Sequence, residues 1–202
     1  MRKIVVFVNV TLDGVMQAPG RPDEDTREGF PYGGWAAPYA AMSEGGPTFE
    51  TDAMVFGRRT YEDFYKFWPK QTDGNPFTPM LNNAQKYVAS RTLNEPLAWQ
   101  NSTLLKGEAA ETVAQLKQEE GKGLMVMGSG NLIQTLMRAN LVDEYVLMIH
   151  PLVLGTGRKL FADGVEARLT LVNSKATTKG VLVATYQPAE ATASGGGSSS
   201  FG

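Results

Sequence analysis

Three separated segments of the chain each end an apolar run in a turn whose residues can hold phosphate. The turns are Gly57-Arg58-Arg59-Thr60, Ser90-Arg91 and Gly128-Ser129-Gly130-Asn131-Leu132. Ligands of an open α/β sheet bind outside the carboxyl ends of its strands, where helix N-termini present unpaired N–H groups to anions. Glycine lets the backbone approach a phosphate closely, and the planar fork of arginine matches phosphate oxygens. Three such turns together predict a ligand that carries several phosphates, and a dinucleotide fits this description.

Each turn also has a purely structural explanation. A Gly-x-Gly sequence between a strand and a helix can be no more than a tight turn. In the same way, Arg58 and Arg59 can lie at the solvated start of a helix. We favour phosphate binding because the three turns occur at successive crossovers of one predicted sheet.

The composition limits the chemistry and the partners of the protein. The 202 residues carry a formal net charge of −2, so the basic excess typical of nucleic-acid and membrane-surface binders is missing. There is no cysteine and a single histidine, His150, which excludes a disulfide framework, a thiol nucleophile and a thiolate or His-rich metal site. Asn9 interrupts the first apolar run, and no later segment approaches the ~20 apolar residues of a spanning helix. We therefore expect a soluble cytoplasmic protein with no metal, nucleic-acid or membrane partner.

Apolar runs alternate with helical patterns along the chain. Strands are predicted at residues 4–10, 53–56, 86–89, 103–105, 124–127 and 144–150. Helices are predicted at residues 35–43, 60–67, 108–120 and 131–139. Residues 168–177 and 180–187 are expected to form a hairpin. This alternation predicts an α/β fold of three layers, with a mostly parallel central sheet and a C-terminal antiparallel hairpin.

Two polar segments carry no predicted strand or helix. Residues 17–34 are rich in proline, glycine and charge, and a loop of that length inside a compact domain is typically a lid or a disordered insertion. Residues 68–83 are rich in proline and asparagine. We expect one domain over residues 1–188, followed by a flexible Gly- and Ser-rich tail at 189–202.

Five segments resemble the dihydrofolate reductase-like superfamily in their residues, order and spacing. They are TLDG at 11–14, YGGW at 32–35, AMVFGRRTYE at 53–62, VMGSGNL at 126–132 and PLVLGTGRKLF at 151–161. Within that superfamily, residues 1–188 look like the C-terminal reductase domain of the bacterial riboflavin-biosynthesis protein RibD. The resemblance implies a three-layer dihydrofolate reductase-like fold and NADPH-dependent hydride transfer to a small heterocyclic or carbonyl substrate.

The resemblance also assigns roles to the three turns. It implies that Gly57-Arg58-Arg59-Thr60 and Ser90-Arg91 hold the 2′-phosphate and an adjacent phosphate. The turn at 128–132 would receive the pyrophosphate and the nicotinamide ribose. The number of arginines favours NADPH over NADH, since a bare ribose 2′-hydroxyl typically meets an Asp or Glu after a strand.

The sequence is less specific about the reacting end of the site. Asp13 ends the first strand beside the expected cleft and is the candidate catalytic residue, although an Asp-Gly turn explains it equally well. Trp35 and Tyr39 can form aromatic walls of a substrate pocket, or they can anchor the 17–34 loop to the core. His150 ends an apolar strand, where a lone histidine is more often structural than catalytic.

Three functions fit these features. The first is an NADPH-dependent reductase of the 5-amino-6-(5-phosphoribosylamino)uracil reductase type. The second is a reductase of dihydrofolate, a pterin or another small carbonyl on the same scaffold, and the third is a non-catalytic NADP-binding module. Residues 35–43 lack the carboxylate that folate reductases carry on their first helix, and the cysteine-free chain lacks a deaminase-like zinc segment.

The resemblance further implies a homodimer. The strand predicted near the C-terminus is apolar at the consecutive residues Val181, Leu182, Val183 and Ala184. A terminal strand of that kind needs cover from a helix, a loop or another subunit.

Overall fold

The computed structural model describes residues 1–40, 49–72 and 74–189. These residues form eight strands and four α-helices. In chain order they are β1 (Ile4–Thr11), β2 (Thr51–Gly57), α1 (Arg58–Phe67), α2 (Phe77–Asn83), β3 (Gln85–Ala89), β4 (Ser102–Leu105), α3 (Ala109–Gln118), β5 (Gly123–Met127), α4 (Gly130–Arg138), β6 (Glu144–His150), β7 (Leu169–Ala176) and β8 (Leu182–Pro188).

The described strands form a single sheet in the order β4-β3-β2-β5-β1-β6-β8-β7. The six strands from β4 to β6 in this order run parallel to one another. β8 pairs antiparallel with β6 on one side and with β7 on the other. The predicted mostly parallel sheet with a C-terminal antiparallel hairpin is confirmed.

Helices cover both faces of the sheet. Ile4, Val6 and Val8 of β1 pack in the apolar cluster that includes the buried residues of α3 and α4. Val5 and Phe7 of the same strand pack on the opposite side, with the buried residues of α1 and α2. Because β1 is buried on both faces, its residues 4–8 are apolar at every position and not at alternate ones. The predicted three-layer arrangement is therefore confirmed.

Two helices begin side by side at the carboxyl edge of the parallel strands. α1 starts at Arg58 directly after β2, and α4 starts at Gly130 just after β5. Because β2 and β5 are neighbours in the sheet, the two helix N-termini lie next to each other. The fold thus brings two of the three predicted phosphate turns to one place.

The prediction of a helix at residues 35–43 is wrong over residues 35–40, the part that the structure describes. Ala37–Tyr39 forms a single 3-10 turn, and Ala40 is already extended. Pro38 disfavours a helical backbone at the residue before it, which limits the segment to one turn. Residues 41–43 lie outside the described residues.

The sequence patterns did not predict α2, because the surrounding segment is rich in proline and asparagine. The Oδ1 atom of Asn75 accepts a hydrogen bond from the N–H of Phe77 at 3.0 Å. Pro76 and Pro79 lie just before and inside the first turn, where the missing N–H of proline has no helical partner to lose. Leu81 is fully buried and anchors the helix to the sheet. The residues that suggested a loop are therefore the ones that start this helix.

No helix within the described ranges is long and apolar enough to cross a membrane. In the same ranges, no three His, Cys, Asp or Glu side chains come together in a way that could hold a metal ion. The tail predicted at 189–202 lies outside the described residues from residue 190 onward.

Candidate active site

A cleft of about 1420 Å³ opens where α1 and α4 begin. Its lining includes every residue of two predicted phosphate turns, 57–60 and 128–132. Residues 16–21 and 157–159 form further parts of its wall. Small-molecule pockets measure roughly 300–1,000 Å³, so this cleft has room for a dinucleotide and a second small molecule.

Hydrogen bonds fasten these two turns to each other. The N–H of Gly57 donates to the Oγ atom of Ser129 at 3.0 Å, and that hydroxyl donates to the carbonyl of Met127 at 3.2 Å. The Thr60 hydroxyl donates to the carbonyl of Gly128 at 3.1 Å. Thr60 and Ser129 therefore hold the two turns in one rigid arrangement.

Both helix N-termini at the cleft are available to an anion. Gly57 and Ser129 are the N-cap residues of α1 and α4, and neither helix has a side-chain capping hydrogen bond among the described residues. Neither first turn contains an acidic residue. The unpaired N–H groups and the positive end of each helix dipole therefore face no compensating carboxylate in the first turn. This arrangement favours phosphate binding.

Cations line the same part of the cleft. Arg58 and Arg59 are exposed, and Arg58 makes only a 3.4 Å contact with Glu62 one helical turn later. Arg59 and Lys159 form no salt bridge with any residue that the structure describes. These two cations are free to pair with a bound anion.

The third predicted turn lies outside the cleft lining. Ser90 follows β3, the neighbour of β2, and its hydroxyl accepts hydrogen bonds from the N–H groups of Thr92 and Leu93. Arg91 pairs with Glu108 at 3.2 Å, and both side chains are largely exposed. An exposed pair of this kind is weak, so an anion can compete for the guanidinium. The role of this turn in cofactor binding stays a prediction.

Asp13 does not line the cleft either. Its Oδ1 atom accepts hydrogen bonds from the Thr11 hydroxyl at 2.5 Å and the N–H of Leu154 at 3.3 Å. Its Oδ2 atom accepts one from the N–H of Gly155 at 2.8 Å. The Thr11 bond above all, with the two backbone bonds, lowers the pKa of the Asp13 carboxyl. The geometry favours the turn role of Asp13 over the catalytic one, because a carboxylate already so occupied is a poor proton donor.

Trp35 and Tyr39 differ in their positions. Tyr39 lines the cleft, whereas Trp35 is buried outside its lining and donates from Nε1 to the carbonyl of Gln17 at 2.7 Å. Both rings pack edge-to-face on the imidazole of His150, with centroid distances of 5.5 Å for Tyr39 and 5.1 Å for Trp35. Trp35 is therefore an anchor of the 17–34 segment, and Tyr39 is the aromatic wall of the cleft.

His150 belongs to the cleft as well, together with Asn9. Its Nε2 atom lies 2.9 Å from the Oδ1 atom of Asn9, and burial lowers the pKa of the imidazole to about 4. The ring is therefore neutral at pH 7, and with Nε2–H donating to Asn9 its Nδ1 atom is an acceptor. That Nδ1 atom is buried and has no hydrogen-bond partner among the described residues. The sequence predicted a structural role for His150. The position of His150 at the carboxyl end of a parallel strand, where ligands of such sheets bind, is the sequence feature that could have placed it in the cleft.

Residues 17–34, which we call the strap, pack along one side of the cleft. Gln17 holds it, because its Nε2 atom donates to the carbonyls of Asp25 and Arg27 while its Oε1 atom accepts from the N–H of Arg158. Ion pairs join Arg27 to Asp63 of α1 at 2.8 Å and Asp25 to Arg158. The strap therefore connects α1 with the loop that follows β6.

The strap brings a cluster of charged side chains into the cleft that the sequence patterns did not single out. Its members are Arg21, Glu24, Asp25, Arg27, Asp63 and Arg158. In the sequence, the charges of residues 21–28 stand in a Gly- and Pro-rich loop, which is typical of a solvated surface. Only the contacts with α1 and the 157–159 loop show that they face a binding site.

Comparison with known proteins agrees with this architecture. The RibD C-terminal domain family matches residues 2–183. The chain is 30% identical over 191 residues to the uncharacterized protein YyaP of Bacillus subtilis strain 168, covering 92% of this chain and 94% of that protein. The uncharacterized protein YwjB of the same strain is 28% identical over 179 residues, covering 86% of this chain and 91% of that protein.

A solved structure shows the same fold. It is a crystal structure from Shewanella sp. PV-4 whose name assigns that protein provisionally to riboflavin biosynthesis. It matches with a TM-score of 0.68 at 21% identity, covering 93% of this chain and 99% of the other. The family match extends over almost the whole chain, so the chain belongs to the RibD C-terminal domain family and has its dihydrofolate reductase-like fold.

Proposed function

We propose that the protein is an NADPH-dependent reductase of the riboflavin-biosynthesis reductase type, acting on a small heterocyclic or carbonyl substrate. The observation that carries this proposal is the pair of uncapped helix N-termini at one end of a cleft large enough for a dinucleotide. Membership of the RibD C-terminal domain family supports the same activity.

The residues of the cleft fit a phosphorylated dinucleotide. The first turns of α1 and α4 offer N–H groups to the pyrophosphate, and Gly128 has a φ of +64°, a backbone conformation that suits glycine. Arg58 and Arg59 supply positive charge for a further phosphate. A ribose without that phosphate would more typically be met by an acidic residue, and the first turns contain none. These features support NADPH over NADH.

When bound, reduced nicotinamide supplies the hydride. The chain supplies the other requirements of the reaction. Phe7, Met125 and Met148 contribute apolar surface to the cleft, which excludes water from a flat heterocycle. Tyr39 offers an aromatic wall, and the Asn9–His150 pair offers polar atoms that can orient the substrate.

Calorimetric titration with NADPH and NADH tests the cofactor. We expect NADPH to bind more tightly, and Arg59→Ala to weaken NADPH by about ten- to a hundredfold, since a lost charge-assisted contact costs ~1.5–3 kcal/mol. Arg138→Ala is the matched control, because Arg138 is an exposed arginine at the far end of α4 and does not line the cleft. Equal affinity for the two cofactors would contradict the assignment.

A substrate screen that follows NADPH absorbance tests the activity. It includes 5-amino-6-(5-phosphoribosylamino)uracil and dihydrofolate, because the sequence left both classes open. NADPH oxidation that depends on one of these compounds supports the reductase. Tight NADPH binding without oxidation by any compound would indicate a non-catalytic NADP-binding module instead.

A further inference from the structure

Reduction of a C=N or C=O bond needs a proton in addition to a hydride. Hydride adds to the carbon, the π electron pair moves onto the nitrogen or oxygen, and that atom takes up one proton. The group that donates it must lie in the cleft, and a pKa raised toward the working pH suits it to that role. Among the described residues, four carboxyl groups line the cleft, and they belong to Glu24, Asp25, Asp63 and Asp163.

Three of these carboxyl groups and the histidine of the cleft are poorly suited to the task. Asp25 is paired with both Arg27 and Arg158, and Asp63 is paired with Arg27. Asp163 is exposed to solvent, so bulk water competes with it for any molecule in the cleft. His150 is a neutral imidazole at pH 7, because burial lowers its pKa to about 4, and the single N–H proton that a neutral ring keeps is too weakly acidic to be donated.

The carboxyl group of Glu24 is held differently. Its Oε2 atom accepts hydrogen bonds from the N–H groups of Gly20 at 2.6 Å and Arg21 at 3.1 Å. Its Oε1 atom has no hydrogen-bond partner among the described residues. The two backbone bonds orient the group and leave Oε1 free to carry a proton toward a molecule in the cleft.

The surroundings of Glu24 make its carboxyl easier to protonate than that of an exposed glutamate. Burial raises the pKa of its carboxyl, and the nearby Asp63 carboxylate of α1 raises it further. The backbone bonds and the Arg21 guanidinium act in the opposite direction, but burial outweighs them. Arg21 is itself engaged elsewhere, since its guanidinium lies 4.0 Å above the ring of Phe67 and contacts Asp23.

We propose that Glu24 donates the proton that the substrate takes up, an inference that rests on the proposed reductase function. The O–H bond of Glu24 breaks, and its proton joins the nitrogen or oxygen that received the electron pair. The two hydrogen bonds to Oε2 stabilise the carboxylate that forms. Solvent returns a proton to Glu24 before the next cycle, and the electrons come with the hydride of the reduced dinucleotide.

The test compares Glu24→Gln with Glu28→Gln. Glutamine keeps an oxygen that can accept from Gly20 and Arg21, so the change removes the proton and largely spares the strap. Glu28 is the matched control, because it lies on the same strap, is exposed and does not line the cleft. We expect Glu24→Gln to lower turnover by roughly 10²–10⁴-fold, as loss of general acid catalysis does. NADPH affinity should stay at the wild-type value, and Glu28→Gln should turn over normally.

A second measurement needs no turnover. In ¹³C NMR of protein labelled at its glutamate carboxyl groups, the signal missing from Glu24→Gln should titrate in the wild type with a midpoint above the usual 4.5. If Glu24→Gln does not fold, Glu24→Asp identifies the signal. A midpoint at or below 4.5, or normal turnover in Glu24→Gln, would overturn the role of Glu24 and leave the reductase function in place. Failure of the wild type to bind NADPH would overturn both.

Discussion

Alanine at position 128 should disturb the junction between the two phosphate turns. Gly128 has a φ of +64°, the left-handed region that costs a residue with a side chain about 1–2 kcal/mol. A Cβ atom there would also lie 3.1 Å from the Cγ2 atom of Thr60, which is closer than an ordinary contact. In a chain of this size 1 kcal/mol corresponds to ~2–4 °C. Gly128→Ala should therefore lower Tm by roughly 2–8 °C.

Gly57→Ala is the matched control on the other turn. Its φ is −79°, and a Cβ atom would have no neighbour nearer than 3.8 Å. Alanine at a position with a compatible backbone usually stabilises a protein by about 0.4–1 kcal/mol. Gly57→Ala should therefore melt at or slightly above the wild-type temperature.

Calorimetry of a double variant separates the two causes of destabilisation. Thr60→Ser removes the Cγ2 atom but keeps the hydroxyl that donates to the carbonyl of Gly128. In the Thr60→Ser background, Gly128→Ala should recover the part of the loss that comes from crowding and keep the part that comes from φ. Gly128→Val, whose branched side chain would press on Thr60 and so push the two phosphate turns apart, should abolish NADPH binding in a folded protein. A wild-type Tm for Gly128→Ala would refute this reasoning, and so would a decrease in the Tm of Gly57→Ala as large as that of Gly128→Ala.

Three further predictions follow from the contacts around the cleft and the sheet edge. The pKa of His150 is about 4, below the usual 6.5, so its contribution to stability is complete above pH 6.5 and is lost as the pH falls toward 4. Chemical denaturation should show about 2 kcal/mol less stability at pH 5 than at pH 7.5, and this part of the loss should be missing from His150→Gln. Asp13→Asn should lower the free energy of unfolding by about 1–3 kcal/mol with normal turnover, because the carboxylate accepts three hydrogen bonds in the turn; a folded variant with a large loss of turnover would restore its catalytic role. The strand at 181–184 is not the uncovered strand that the sequence led us to expect, because β8 lies between β6 and β7. We therefore propose a homodimer that covers the edge strand β7, whose Leu171 and Val172 are 51% and 54% exposed. Light scattering should give twice the chain mass for the wild type and the single mass for Leu171→Asp, and a monomeric wild type would exclude the dimer.

The sequence predicted those features whose conformation depends only on a residue and its neighbours in the chain. The strands follow from apolar runs that must be buried on both faces, as in β1. The turns at 57–60 and 128–132 follow from glycine and from short polar side chains between a strand and a helix, and both line the cleft. The helix at 77–83 was missed because proline and asparagine have the same local preferences in a loop and at a helix start.

The positions of side chains in the strap and at the reacting end of the site depend on contacts with residues that are distant in sequence. Asp13 is directed away from the cleft by the N–H groups of Leu154 and Gly155, more than 140 residues later. Arg27 faces the cleft because it pairs with Asp63 of α1. Nothing in the local sequence around Asp13 or Arg27 indicates these contacts.

The sequence by itself determined which segments become strands, where the chain turns sharply and where two helix N-termini can receive phosphate, because these properties depend on a residue and its nearest neighbours. The tertiary structure decided which charged and polar side chains share the cleft. The carboxylate of Asp13 accepts hydrogen bonds from Leu154 and Gly155 because β1 and β6 are neighbours in the sheet although they are far apart in the chain. Glu24 makes its hydrogen bonds within its own turn, but only the fold places that turn at the cleft and near Asp63 of α1.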